Sequence, residues 1–148
     1  MLSIRKAKIE DLNQLAQLFD AYRQFYEQVS DNRLATQFIT ARLTNKDSII
    51  LVAENEKQQL SGFCQIYPSF CSVVAAKIGV LYDLYVNESA RKTGAGRALM
   101  LAAHEHAANN NMTRLDLTTA KNNLKAQALY ESLGWVRDTV FYTYSKAF

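Results

Sequence analysis

Apolar and polar residues alternate over residues 2–9, and several other short segments are rich in β-branched, aromatic and other apolar residues; both patterns predict β-strands. Three of the segments are long: SIILVAE (48–54), LSGFCQIYPSF (60–70) and KIGVLYDLYV (77–86). The polar NEKQQ between the first two predicts a hairpin turn. Shorter strands are predicted at residues 2–9, in TRLDLTTA (113–120) and in the closing WVRDTVFYTYS (135–145).

Four other segments repeat their apolar residues every three or four positions, which predicts amphipathic helices. The first begins at Asp11, a side chain suited to capping a helix, and the second spans residues 34–43. The third follows the glycines of TGAG and runs to Ala108, and the fourth, NNLKAQALYESLG, ends with Gly134 as its C-cap. The order β-α-α-β-β-β-α-β-α-β predicts an α/β fold with a mixed sheet, and the absence of linkers and repeats predicts a single domain over residues 1–148.

Composition and charge narrow the class of protein. The chain has 148 residues, of which 49% are hydrophobic and 21% charged, and a net charge of +3. This mild positive charge suits an anionic ligand but is too small to indicate nucleic-acid binding. Neither a signal peptide nor an apolar run long enough to cross a membrane is present, so a cytoplasmic protein is expected. Cys64 and Cys71 have no second pair and no histidine at ligand spacing, so no metal site is predicted.

Two glycines stand one residue apart in SARKTGAGRALM (89–100), which raises the question of a phosphate-binding loop. The segment matches neither a P-loop nor a dinucleotide-binding fingerprint, because leucine occupies the place of the third glycine. The glycines nevertheless open a helix directly after a strand, where free N–H groups and the positive helix end converge. The nearby basic side chains favour a pyrophosphate ligand, and a tight turn without a ligand is the alternative.

Three segments in this order resemble signatures of the GCN5-related N-acetyltransferase (GNAT) family. RKTGAG (91–96) fits its acetyl-CoA-binding pattern R/Q-x-x-G-x-G/A, LYDLYV (81–86) resembles its fourth strand, and NNLKAQALYESLGW (122–135) resembles its second signature. GFCQIYPSF and the closing RDTVFYTYS are similar to a bacterial branch related to yeast histone and polyamine acetyltransferases. The resemblance covers essentially the whole chain. It implies a mixed, mostly antiparallel sheet of six to seven strands flanked by about four helices.

The family resemblance also implies an activity. It is the transfer of an acetyl group from acetyl-CoA to a primary amine of a small molecule, a protein lysine or a protein N-terminus, by direct attack through a tetrahedral intermediate. A non-catalytic acyl-CoA sensor is the alternative. Backbone N–H groups of the glycine segment would hold the CoA pyrophosphate, and the preceding strand would pair with the pantetheine arm. The implied cofactor-binding residues are Leu84, Tyr85, Val86, Arg91, Lys92, Thr93, Gly94, Ala95, Gly96, Arg97 and Asn123.

Two residues are candidates for proton transfer. By the resemblance, Tyr130 is the general acid that protonates the departing sulfur, and packing on its own helix is the alternative. An alkyl ammonium has a pKa of about 10.4 and must lose a proton before it attacks. Asp83, which interrupts an apolar strand, is the candidate general base, and a structural pairing with an arginine or with nearby backbone is the alternative.

The acceptor site is expected near the first two helices. Tyr26, Glu27 and Tyr82 are the candidate substrate-binding residues, through charge and cation–π contacts, and a solvated helix end is the alternative. Similar polyamine acetyltransferases have an acidic residue where this chain has Tyr82, which argues against a polycationic substrate. Asn123 is expected to orient the cofactor or to cap its helix. The aromatic closing segment suits a homodimer interface, and neither nucleic acid nor membrane is an expected partner.

Overall fold

The computed structural model describes all residues, Met1–Phe148, and divides into two compact units, Met1–Leu117 and Thr118–Phe148. The first unit contains five strands: β1 (Ser3–Lys6), β2 (Ile49–Glu54), β3 (Leu60–Cys71), β4 (Ala76–Val86) and β5 (Leu115–Asp116). It also contains three α-helices: α1 (Leu12–Phe25), α2 (Asn32–Asn45) and α3 (Ala95–Asn109). The second unit contains α4 (Leu124–Ser132). No helix is both long enough and apolar enough to span a membrane.

The five strands form one sheet in the order β1-β2-β3-β4-β5. Neighbouring strands are antiparallel from β1 to β4, and β5 joins β4 in parallel at Gly79 and Val80. This confirms the predicted α/β class and the mostly antiparallel, mixed sheet. The predicted count of six to seven strands is wrong, because residues 135–145 form no strand and only Leu115–Asp116 of 113–120 pair. Both segments have strand-like composition, but a strand also needs a hydrogen-bonded neighbour.

Helices cover both faces of the sheet in the first unit. Adjacent strand residues point to opposite faces, and β3 shows this at two neighbouring positions. Phe63 is fully buried and packs its ring against Phe19 of α1, whereas the buried Cys64 contacts the backbone of Leu99 in α3. The core on the first face consists of Leu15, Leu18, Phe19, Ala35, Ile39, Ile50, Val52, Leu60 and Phe63. A polar side chain buried on this apolar face therefore needs a hydrogen-bond partner on the same face.

Charged hydrogen bonds hold α1 against the sheet and against α2. The Arg5 guanidinium of β1 donates to both carboxylate oxygens of Asp11 at 2.8 Å and to Glu54 at 2.6 Å. At the other end of α1, the buried Asp20 accepts hydrogen bonds from Ser30 Oγ at 2.7 Å and from the Asp31 N–H at 2.8 Å. These contacts fix both ends of the helix that carries Tyr22 and Tyr26.

The second unit shows the two predicted ends of α4. Asn123 caps the helix, since its side-chain oxygen accepts the Ala126 N–H at 3.2 Å. Gly134 has a φ of 91°, and the N–H groups of Gly134 and Trp135 donate to the carbonyls of Glu131 and Tyr130 at 3.1 Å. This paired arrangement is a Schellman motif, in which glycine is favoured because of its positive φ.

Candidate active site

A buried polar pair links β3 and β4. Gln65 lies directly opposite Asp83 in the register of the two strands, and its Nε2 donates to Asp83 Oδ2 at 2.6 Å. Gln65 is 0% and Asp83 3% exposed. Asp83 forms no ion pair, so the alternative that it pairs with a structural arginine is wrong. The carboxylate is held by a neutral amide.

Ser48, just before β2, extends this pair. Its hydroxyl donates to Gln65 Oε1 at 2.7 Å, so the amide oxygen faces Ser48 and the amide N–H faces Asp83. Neither Ser48 nor Gln65 was among the residues expected to form the site. One signal was available for Gln65, since it is a polar residue between Cys64 and Ile66 in a strand that is otherwise buried. Its partners were not apparent from the sequence, because they lie 17 and 18 residues away.

The surroundings of Asp83 disfavour the charged form of its side chain. Burial raises the pKa of Asp83, while hydrogen bonds from Gln65 and from the Tyr22 hydroxyl lower it, and the net direction is upward. The Tyr22 hydroxyl also lies 3.3 Å from the carbonyl oxygen of Tyr82, so its single proton is shared between these two acceptors. Burial and the neighbouring Asp83 carboxylate both raise the pKa of Tyr22, and together they raise the pKa of Tyr67 to about 12. Both tyrosines therefore remain protonated hydroxyls at neutral pH.

A β-bulge lies next to Asp83. Gln65 is opposite Asp83 and Ile66 is opposite Leu81, so Tyr82 has no partner on β3. The Tyr82 side chain is 65% exposed, and its ring lies 5.7 Å from that of Tyr67. Bulges redirect side chains in this way and are common beside active sites.

The predicted acceptor residues lie around this bulge to different degrees. The Tyr26 ring packs edge-on against Tyr22 at 5.2 Å and is 46% exposed. Tyr22 contacts both Tyr82 and Asp83, so the Tyr22 side chain lies between Tyr26 and the Asp83 carboxylate. Glu27 follows α1 as an exposed residue with a φ of 65°. The structure thus brings Tyr82 close to Asp83 and leaves Glu27 at the end of the helix.

One edge of β4 is open beside this pair. Leu84, Tyr85 and Val86 pair with β3 on one side. On the other side β5 covers only Gly79 and Val80, so no strand adjoins β4 beyond that point. An open strand edge presents unpaired N–H and C=O groups that an extended ligand can use. A pantetheine arm, with its two amides, fits such an edge.

The glycine segment follows β4 at the N-terminus of α3. Lys92 and Gly94 have φ angles of 65° and 86°, in the left-handed region that tight turns use. A Cβ placed on Gly94 would meet nothing within 4 Å, so its backbone conformation, and not crowding, requires glycine. Residues 91–94 are exposed, and Arg91 Nε donates to the Val86 carbonyl at 3.1 Å. These amides and cations fit a pyrophosphate group.

In the second unit, Tyr130 lies on the half-buried face of α4 together with Ala126, Leu129 and Leu133. Its ring centroid is 6.2 Å from that of Trp135, just beyond the end of the helix. The side chain of Asn123 acts as the helix cap described above. Their roles in proton transfer and cofactor binding stay predictions.

The sequence profile of the Acetyltransferase (GNAT) family matches residues 12–135. The chain belongs to this family. This GNAT acetyltransferase is 45% identical over 143 residues to the uncharacterized N-acetyltransferase YhfO of Bacillus subtilis (strain 168), covering 97% of this chain and 95% of YhfO. It is 28% identical to a probable acetyltransferase of Haemophilus influenzae, covering 82% and 83% of the two chains.

A crystal structure of a probable acetyltransferase has the same fold as this GNAT chain. The TM-score is 0.92 at 35% identity, and the match covers 99% of this chain and 97% of the other. The predicted family resemblance is therefore confirmed, and family membership supports acetyl transfer in general.

Proposed function

We propose that this protein is an N-acetyltransferase that uses acetyl-CoA to acetylate a primary amine of a small molecule, a protein lysine or a protein N-terminus. The observation that carries the proposal is the Asp83 carboxylate, buried without a cation beside the open edge of β4. Burying a carboxylate without a cation destabilises a fold, and titratable groups held in such surroundings are concentrated at functional sites. A sensor that only binds acyl-CoA needs the open edge and the glycine loop but has no use for this carboxylate, so the enzyme is the favoured alternative.

Acetyl-CoA supplies an activated acetyl thioester when it is bound. We assign its pantetheine arm to the backbone edge of Leu84, Tyr85 and Val86, because that edge has no strand neighbour. The first-turn amides of α3 and the positive helix end suit its pyrophosphate. The residues proposed for this loop are Arg91, Lys92, Thr93, Gly94, Ala95, Gly96 and Arg97, with Asn123 of the second unit as a further cofactor-binding residue.

The acceptor amine must be neutral before it reacts, and Asp83 is the proposed base. Since Asp83 is only 3% exposed, the proton reaches it through an intervening group, either water or the Tyr22 hydroxyl beside it. The amine nitrogen attacks the thioester carbonyl and forms the new C–N bond, giving a tetrahedral intermediate that collapses as the C–S bond breaks. The Asp83 carboxylate receives the proton lost by the amine through that intervening group. Tyr130 donates a proton to the departing sulfur.

The acceptor side of the site is aromatic with one acidic residue. The exposed rings of Tyr26 and Tyr82 present faces suited to an ammonium group, and Glu27 adds one negative charge at the end of α1. Tyr82 takes the place of a second carboxylate next to Asp83. An acceptor with a single amine therefore suits the site better than a polycation.

The same proposal includes the organisation of the chain. The two units together form one acetyltransferase domain over residues 1–148, in agreement with a family match that spans both. The protein acts in the cytoplasm as a homodimer. Apolar side chains of the closing segment support the dimer, because they are from 76% to 111% exposed: Val136, Val140, Phe141, Tyr142, Tyr144 and Phe148.

A second copy is the proposed partner of this closing segment. Covering its six side chains would remove roughly 1,000 Å² per copy from water, about what a standard interface buries on each side. Light scattering should give twice the chain mass of 16.8 kDa for the wild type and the single mass for a Tyr142→Lys, Tyr144→Lys double variant. A wild type that is monomeric at micromolar concentration would contradict the homodimer.

The activity is tested by thiol release from acetyl-CoA with a panel of primary amines: alkyl amines, amino acids, polyamines and lysine-containing peptides. Acetyl-CoA binding is measured in parallel by calorimetry. We expect turnover with at least one monoamine. Tight acetyl-CoA binding without turnover of any amine would favour the sensor. Tight, steeply salt-dependent DNA or RNA binding without an acetyl-CoA thermal shift would contradict both functions.

A further inference from the structure

We propose that Gln65 and Ser48 are positioning residues that hold the Asp83 carboxylate in one orientation as a proton acceptor. This inference rests on the proposed function for its catalytic meaning, because Asp83 is the base only in that proposal. The three side chains form one continuous chain of hydrogen bonds: Ser48 Oγ to Gln65 Oε1 at 2.7 Å, and Gln65 Nε2 to Asp83 Oδ2 at 2.6 Å.

The direction of this chain is set by the Asp83 carboxylate, which only accepts hydrogen bonds, and the Ser48 hydroxyl completes it. An amide can present either its oxygen or its NH₂ group to a neighbour, and only the NH₂ group stabilises a carboxylate. With the Ser48 hydroxyl donating to Oε1, the oxygen is occupied and the NH₂ group faces Asp83. A reversed amide would place two acceptors against each other at the carboxylate, whereas in the observed orientation the Ser48 hydroxyl holds the amide by donating to its oxygen.

The burial of Gln65 makes this arrangement rigid. Gln65 is fully buried and Asp83 almost so, and the two stand as a cross-strand pair of β3 and β4. No buried side-chain nitrogen or oxygen lacks a hydrogen-bond partner, so every member of this network is satisfied. A buried network with every member satisfied favours one conformation, whereas a partly satisfied one does not.

The other titratable groups near Asp83 cannot replace Gln65. The groups that act on it or feel its charge are Tyr22 on α1 and, on β3, Cys64 and Tyr67. Tyr26 and Tyr82 act in turn on Tyr22. Burial raises the pKa of the Cys64 thiol to about 12 and also raises the pKa values of Tyr22 and Tyr67, so these three groups are neutral near pH 7. Gln65 and Tyr22 are then the two donors that stabilise the charged form of Asp83.

The test is to follow the titration of Asp83 directly in the protein without substrate. Aspartate labelled with ¹³C at the carboxyl carbon is observed by NMR from pH 4 to 9, and the Asp83 signal is assigned by its absence in Asp83→Asn. Removing the donor in Gln65→Leu should shift the Asp83 midpoint upward by about one pH unit or more, because the carboxylate loses a charge-assisted hydrogen bond. Ser48→Ala should give a smaller upward shift, and Ser48→Thr, which keeps the hydroxyl, should restore the wild-type midpoint.

Matched controls separate positioning from general loosening of the fold. Ser61→Ala removes another buried hydroxyl of β3, one that donates to the Ala53 carbonyl and has no link to Asp83. Gln14→Leu removes an amide that bonds to the β2–β3 hairpin. Neither should move the Asp83 midpoint. An unchanged midpoint in a folded Gln65→Leu, or equal shifts in Ser48→Ala and Ser61→Ala, would overturn the inference.

Turnover distinguishes this inference from the proposed function. With the best amine of the panel, the acid limb of the kcat/KM profile should move to higher pH in Gln65→Leu, while the Kd of acetyl-CoA stays within about twofold. If Asp83→Asn retains full turnover while Gln65→Leu still shifts the Asp83 midpoint, the assignment of the base fails and the positioning stands. If Asp83→Asn is inactive and Gln65→Leu has a wild-type midpoint and profile, the positioning alone fails.

Discussion

Asp83 and the glycine segment lie on the same polypeptide run, Asp83 within β4 and the glycine segment between β4 and the first turn of α3, yet the two regions are built in opposite ways. Asp83 and Gln65 are buried, and their side chains carry the interaction. Residues 91–94 are exposed, and there the backbone carries the feature, through the positive φ angles of Lys92 and Gly94.

This difference follows from the task proposed for each region. A proton acceptor needs a tuned and fixed side chain, which requires exclusion from water and a complete set of hydrogen bonds. A pyrophosphate cradle needs several N–H donors and positive charge facing solvent, where a large anion can enter. Substitutions in the first region should therefore change turnover, and those in the second should change affinity for acetyl-CoA.

The largest effect is expected for Asp83→Asn. The amide keeps the shape of the side chain but cannot accept the amine proton, so kcat/KM should fall by about 10²- to 10⁴-fold. The Kd of acetyl-CoA should stay within about twofold. Asp116→Asn is the control, since that carboxylate lies on β5 and pairs with Arg114. Loss of acetyl-CoA affinity in Asp83→Asn without loss of kcat would contradict the assignment of turnover to the Asp83 region and of acetyl-CoA affinity to the glycine segment.

Tyr130→Phe extends the comparison to the second unit. If Tyr130 protonates the leaving sulfur, removal of its hydroxyl should lower kcat by about 10²-fold and leave the Kd of acetyl-CoA nearly unchanged. Tyr144→Phe removes a hydroxyl from the exposed closing segment and should retain wild-type kcat. Wild-type turnover of Tyr130→Phe would assign Tyr130 to packing on α4.

Gly96→Asp tests the glycine segment. A carboxylate in the first turn of α3 is compatible with the helix, since Gly96 is absent from the residues with positive φ, but it would repel the pyrophosphate. The Kd of acetyl-CoA should rise by at least about tenfold, a cost of about 1.4 kcal/mol in binding. Gly96→Ala, which adds no charge, should have a smaller effect. An unchanged Kd in folded Gly96→Asp would place the pyrophosphate elsewhere.

Arg91→Ala should have the smallest effect. Arg91 is exposed and is held by the Val86 carbonyl, so its attraction for a phosphate is screened by solvent. The Kd of acetyl-CoA should rise by about two- to fivefold in low salt, and the difference should shrink as salt is added. Arg33→Ala on α2 is the control for a lost surface cation. An effect as large as that of Gly96→Asp, or one that salt does not reduce, would mean that side chains and not backbone carry the affinity.

Local patterns predicted much of the fold. Composition rich in β-branched, aromatic and other apolar residues identified β2, β3 and β4 to within one residue at each end, and helical spacing with the TGAG glycines placed α3. Gly134 ended α4 as expected, because its positive φ is a local requirement. The strand predicted for the closing segment, residues 135–145, was wrong for the opposite reason. Its residues favour a strand, but the partner that would complete the ladder is not a local property.

The sequence by itself determined the three long strands, the helices, the glycine segment and the family, since each depends on neighbouring residues or on a short motif. Only the tertiary structure decided what surrounds Asp83. The register of β3 and β4 places Gln65 opposite Asp83, and the bulge turns the Tyr82 side chain outward. Ser48, just before β2, lies within hydrogen-bond distance of the Gln65 amide. Such contacts join residues 17 and 18 positions apart through strand pairing, and periodicity carries no information about register at that distance.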